Sequence, residues 1–125
     1  MILVTLPKPR LTLQTGRTAT KGQSVQMSCS ISTQYLGGTF TLQQLSGSYR
    51  ETKAASGSSA DFTIRQVDFV HEGSYYCQYQ TRVSGRNFNS SHSDSVSFSV
   101  VGEIFHLIIV FYIIYKYTRE LEERF

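Results

Sequence analysis

The chain has no tryptophan, and only two prolines, two cysteines and three histidines among its 125 residues. Each scarcity removes a class of function. His71, His92 and His106 stand apart from any cysteine or carboxylate at ligand or triad spacing, so neither a metal centre nor nucleophilic catalysis finds its parts. They read instead as a corner residue, a loop residue and a membrane-flanking residue. No glycine-rich phosphate cradle occurs either, because Gly37-Gly38 and Gly57 fall in turns. No enzymatic activity and no cofactor are expected. Charge is also thin: twelve Lys and Arg against nine Asp and Glu leave a formal +3. Lys8, Arg10, Arg17, Lys21, Arg50 and Lys53 are scattered, with no stripe and no aromatic interleaving. A nucleic-acid surface needs a focused patch, so no nucleic-acid partner is expected.

What the chain does have is tyrosine and phenylalanine, eight of each, among abundant serine, threonine and glutamine. That is the composition of a β-rich extracellular domain, too apolar and aromatic for disorder. Its length holds one domain and a short appendage. Val25, Met27, Cys29 and Ile31 alternate with polar neighbours, as a half-buried antiparallel strand requires. Leu11 to Leu13, Phe40 with Leu42, a polar edge over 49–55, Phe62 with Ile64 and Val67, Tyr75 to Tyr79, and Val96 to Val100 supply further strands. Seven or so short strands separated by Ser-Gly turns make an antiparallel β-sandwich.

Three stretches carry a resemblance: Gly22-Gln23-Ser24-Val25-Gln26-Met27-Ser28-Cys29, then Phe62-Thr63-Ile64 with Val67, then Gly73-Ser74-Tyr75-Tyr76-Cys77. From about Leu11 to Val100 the chain resembles a C2- or I-like immunoglobulin domain of the leukocyte, Fc-receptor-like immune receptors. Tyr35 to Leu42 is also similar to immunoglobulin-like modules of fish multidomain immune receptors. The resemblance implies an all-β immunoglobulin-like sandwich, with Tyr75 closing the corner between two strands and Cys29 joined to Cys77 across the sheets. The plain alternative for the cysteines is a pair of buried free thiols. A disulfide implies the secretory lumen or the cell exterior. Two departures from the family pattern stand out: Leu42 occupies the place of the core tryptophan, and His71 that of a corner carboxylate. Glu72 or Asp68 is the candidate substitute. Asn89-Ser90-Ser91 is an N-glycosylation acceptor, whereas Asn87 is not.

Beyond the sandwich, Leu107 to Tyr115 contains no charge and is apolar on every face. Glu103 precedes it, and Lys116 and Arg119 follow, the charge order of a single membrane span with the sandwich outside. The expected organisation is an immunoglobulin-like domain over 6–101, a transmembrane helix over 102–117 and a charged cytoplasmic tail over 118–125. Residues 104–117 nevertheless reach only about 21 Å as a helix, against about 30 Å of hydrocarbon. Residues 1–6 are too short for a signal peptide, so the true start is expected upstream. The tail holds no tyrosine-based signalling motif. These features together imply a plasma-membrane receptor or adhesion module without autonomous signalling, binding an extracellular protein or glycan ligand. The expected contact loops are 33–38 and 82–92, with Tyr35, Arg82, Arg86 and Phe88 as contact residues. The alternative is a self-associating spacer domain, or a truncated fragment of a larger multidomain immune receptor.

Overall fold

Alternation in the sequence becomes burial in the structure. In β3 (Val25–Ser30), Val25, Met27 and Cys29 are fully buried while Gln26, Ser28 and Ser30 are only partly covered. This is the two-residue period of a strand with one wet face. In β4 (Thr39–Gln44), Phe40, Leu42 and Gln44 point inward, and in β6 (Ser59–Ile64), Ala60, Phe62 and Ile64 do so. The computed structural model describes residues 3–124; the side chains of Phe105 and His106, and with them the expectation for His106, lie outside the described residues.

Two sheets face each other. One holds β1 (Arg10–Leu13), β3 and β6, all antiparallel. The other runs β2 (Thr18–Thr20), β9 (Val96–Val101), β7 (Gly73–Val83), β4 and β5 (Arg50–Ala54), with β8 (Arg86–Asn89) added to β7. Their inner faces form one apolar cluster that includes Met27, Phe62, Phe40, Leu42, Tyr75 and Phe98. Cys29 and Cys77 lie in opposite sheets and are joined by a disulfide at a sequence separation of 48. Leu42 sits directly across the strand pair from Cys77 and is wholly buried, so an aliphatic side chain fills the place expected of tryptophan.

Among the described residues the sandwich has nine strands, where the sequence pattern predicts about seven. After Leu13 the chain bends at Gly16, whose φ of +87° is left-handed, and crosses to the opposite sheet. There β2 pairs in parallel with β9. Three residues, Thr-Ala-Thr, are too few to show alternation. Val67 is buried as expected but sits just past β6, where its N–H donates to Gln23 O.

The corner before β7 is closed by hydrogen bonds. Tyr75 Oη donates to His71 O at 2.6 Å, and its ring stacks on Phe98 at 5.5 Å. His71 Nδ1 accepts the Asp68 N–H at 2.9 Å, while the Asp68 carboxylate accepts the Phe69 N–H at 2.7 Å, capping the 3-10 turn Phe69–His71. Glu72 accepts the Val100 N–H at 2.9 Å. Asp68 faces Lys21 at 3.9 Å, but both side chains are about half exposed, so that pair adds little. Glu72 and Asp68 thus both serve this corner by accepting backbone protons, and among the described residues neither forms a buried ion pair there. Burial pushes the Tyr75 phenol up from 10.0 to about 12.

After Gly102 the chain forms α1 (Glu103–Glu123), which runs on through the segment expected to be a separate tail. Leu107 to Tyr115 are exposed all round; Val110, the most covered of them, is still 39% exposed. The expected span over 102–117 is therefore corrected: no helix among the described residues is long and apolar enough to cross a membrane. The stretch between Glu103 and Lys116, residues 104–115, measures only about 18 Å as a helix, and any longer stretch takes in one of those two charges.

Replacing both cysteines, as in Cys29→Ala with Cys77→Ala, should cost about 4 kcal/mol by the chain-entropy relation for a loop of this size. Urea unfolding measures it; a loss below about 1 kcal/mol would mean the sheets hold without the bridge. Tyr75 gives a pH signature. Its folded pKa lies above the unfolded one, so its contribution is complete below about pH 10 and is lost as pH rises towards 12. Tyr75→Phe should lose about 1 kcal/mol at neutral pH and show a shallower alkaline decline. Parallel declines for the two proteins would refute the assignment.

Candidate ligand-binding site

Tyr79 is placed inward by the alternation of β7, and its hydroxyl organises one end of the sandwich. It donates to Tyr35 O at 2.7 Å and accepts the Gly38 N–H at 3.0 Å, while its ring packs on Phe40 at 4.8 Å. The loop at 33–38 is thereby held at both ends by one buried phenol. Gly38 leaves no room for a side chain: a Cβ there would lie 2.1 Å from Gln80 O and 2.8 Å from the Tyr79 ring. Tyr35 itself is partly buried, its hydroxyl 3.5 Å from Leu3 O.

The expected long loop over 82–92 is corrected to a hairpin. Gln80 is the last β7 residue paired to β4, and Thr81 to Val83 pair only with β8. The strands project as a two-stranded ribbon closed by Ser84 (φ +52°) and Gly85 (φ +79°). Two consecutive left-handed residues match the right-handed twist of the strands they join.

Between β8 and β9 the backbone ladder breaks, and two serines take it over. The Cys77 N–H donates to Ser93 Oγ at 2.8 Å and the Tyr79 N–H to Ser90 Oγ at 2.9 Å. In return the Ser90 and Ser93 N–H groups donate to Tyr79 O and Cys77 O. A buried N–H must find an acceptor, and here hydroxyls stand in for missing carbonyls. Serine and glutamine are ordinarily surface residues, so neither Ser90 nor Ser93 stood out in the sequence, and nor did Gln44, although all three are buried. The Gln44 amide donates to Val70 O and Glu72 O at 3.1 and 2.9 Å, tying β4 to the corner. No buried side-chain nitrogen or oxygen among the described residues lacks a partner.

The four expected contact residues lie at this end, on different faces. Arg82 pairs with Asn87 on the outer face, where both line a depression of about 200 Å³ with Gly37 and Gly38. Arg86 and Phe88 occupy the opposite face of the ribbon, with Phe88 across from Thr81 and partly buried. Tyr35 lines a separate depression against the N-terminal segment. No carboxylate occurs in 31–39 or 81–93, so the arginines give this end a positive field. Nearby, Lys8 is paired with Asp94. Lower on the outer face, Tyr76 and His92 stack at 4.1 Å, and Asn89 is exposed opposite Gln80. Among the described residues no group of three or more His, Cys, Asp or Glu is placed to hold a metal ion.

Comparison with known proteins agrees with this architecture. A family model described as Immunoglobulin domain matches residues 15–90. Among solved structures, the human OSCAR ligand-binding domain is similar, with a TM-score of 0.60 at 22% identity over 75% of this chain. The match covers 48% of that structure, so this chain spans about half of its length. At that identity the likeness is one of fold.

Tyr79→Phe removes both bonds to the 33–38 loop and should cost about 1–3 kcal/mol. Amide exchange at Gly38 should accelerate well beyond that at Cys77. Unchanged protection at Gly38 would mean the loop is held by something else.

Proposed function

This chain belongs to the immunoglobulin-domain family, and we propose that it is a receptor-type recognition module of the cell surface, meeting its ligand with the end that carries the 33–38 loop and the β7–β8 ribbon. The observation that carries this reading is the double hydrogen bond of Tyr79. A contact loop ordered before binding loses less entropy when a partner arrives. Arg82 and Arg86 add a positive field with no carboxylate beside it, which suits an extracellular protein or glycan bearing acidic groups. The likeness to a domain named for ligand binding supports the same direction.

Attachment to the membrane through α1 is the second half of the proposal. The apolar residues of Leu107 to Tyr115 surround the helix, so a groove on one partner would cover only a stripe of them, whereas lipid covers all sides. Lys116 and Arg119 then sit at the headgroup level, their stems along the apolar surface.

Two assays separate the halves. Protease protection of the disulfide-linked domain in intact microsomes, lost on adding detergent, is expected; digestion without detergent would remove the cell-surface reading. For the binding end, the double variant Arg82→Ala with Arg86→Ala should bind ligand-positive cells about tenfold more weakly, a change of about 1.4 kcal/mol. Its melting temperature should be unchanged, since both side chains are exposed. Wild-type binding should weaken with salt. Equal binding by the variant would exclude this end, and concentration-dependent self-association in sedimentation would favour a spacer role.

A further inference from the structure

We propose that Asn89 carries an N-linked oligosaccharide whose inner sugars lie down the outer face of β7 on the Tyr76–His92 stack, closing that face to partners. This rests on the secretory-compartment reading above and deepens it. The acceptor triplet is Asn89-Ser90-Ser91, and its three residues divide their tasks by direction. Asn89 and Ser91, the two whose side chains the modification needs, are exposed. Ser90 is turned inward, its Oγ accepting the Tyr79 N–H and donating to Ser91 O at 2.9 Å. The fold thus anchors the middle residue and presents the outer two.

Direction along the sheet follows from register. Asn89 is the cross-strand partner of Gln80, so its side chain rises from the outer face. Moving down β7 on that face come Gln78, Tyr76 and Ser74. Gln78 Nε2 donates to Ser90 O at 2.8 Å, and Ser74 Oγ lies 2.5 Å from Ser97 Oγ. Tyr76 is four residues from Gln80, or about 13 Å along the strand, within reach of the inner sugars. The strip offers amides and hydroxyls, no charge, and one aromatic platform. That combination suits a sugar, whose C–H face packs on an electron-rich ring while its hydroxyls find neutral hydrogen-bonding groups. The depression at Arg82 and Gly38 adjoins the attachment point, since Gln80 lines it too, and it stays open because the sugars run the opposite way along β7, towards Tyr76.

The test uses the full chain expressed behind a cleavable secretion signal in mammalian cells. Mass is measured before and after peptide-N-glycosidase, and the cysteine state by alkylation. One glycan is expected, lost in Asn89→Gln and in Ser91→Ala but kept in Ser90→Ala. An oxidised, unglycosylated chain would overturn the glycan and leave the cell-surface reading standing. A reduced, unglycosylated chain would overturn both. For the platform, enzymatic release of the glycan from the folded protein should be several-fold faster in Tyr76→Ala. His92→Ala serves as the second variant if the first lowers the melting temperature. Equal release rates in folded variants would overturn the stacking.

Discussion

Strand β7 runs through the middle of the larger sheet, and its inward residues fix three separate parts of the molecule. Tyr75 reaches back to His71 O and closes the corner, Cys77 crosses to β3 in the other sheet, and Tyr79 holds the 33–38 loop. All three are wholly buried. The strand period of two places them on one line, so a one-residue slip would turn every one of them outward at once. The register of β7 is therefore fixed by packing, by a covalent bond and by two phenol hydrogen-bond sites together.

The price of this arrangement falls on the neighbouring strand. β9 pairs with β7 only over Gly73 to Tyr75, and β8 only from Gln80 onward. Between them β7 still has buried backbone groups to satisfy. Ser90 and Ser93 fill the gap with side-chain oxygens and with their own N–H groups. The break frees residues 90–95 from regular pairing, and Ser91 and His92 face solvent there beside the ladder-held Asn89. A local failure of sheet pairing thus creates the surface chemistry of that face.

The helix obeys a different balance. Within the sandwich, apolar residues are covered because two sheets face each other; among the described residues α1 has no such partner, and Leu107 to Tyr115 remain open all round. Its local stabilisation is of the weak kind. The Arg119 guanidinium donates to Tyr115 Oη at 3.1 Å and lies 3.9 Å from Glu123, contacts that add tenths of a kcal/mol. A helix so constituted gains little from its own side chains, in contrast to the strands of the sandwich, which cover one another.

The sequence by itself determined the parts that follow from a two-residue period and from residue chemistry. The core strands around Met27, Phe40, Phe62, Tyr75 and Phe98 were legible, because alternation is local. So was the role of Tyr75 through its family resemblance, and the place of Leu42 beside the disulfide. Long-range pairing decided the rest. The short β2 joins the opposite sheet in parallel, which no three-residue window can announce. The segment at 82–92 becomes a ribbon because β7 outruns β4, a fact about two distant strands, and that ribbon sets Arg82 and Arg86 on opposite faces. Ser90, Ser93 and Gln44 look like surface in a list of residues. They are buried because specific N–H and C=O groups far along the chain needed partners, and only the assembled sandwich brings those groups within a hydrogen bond of them.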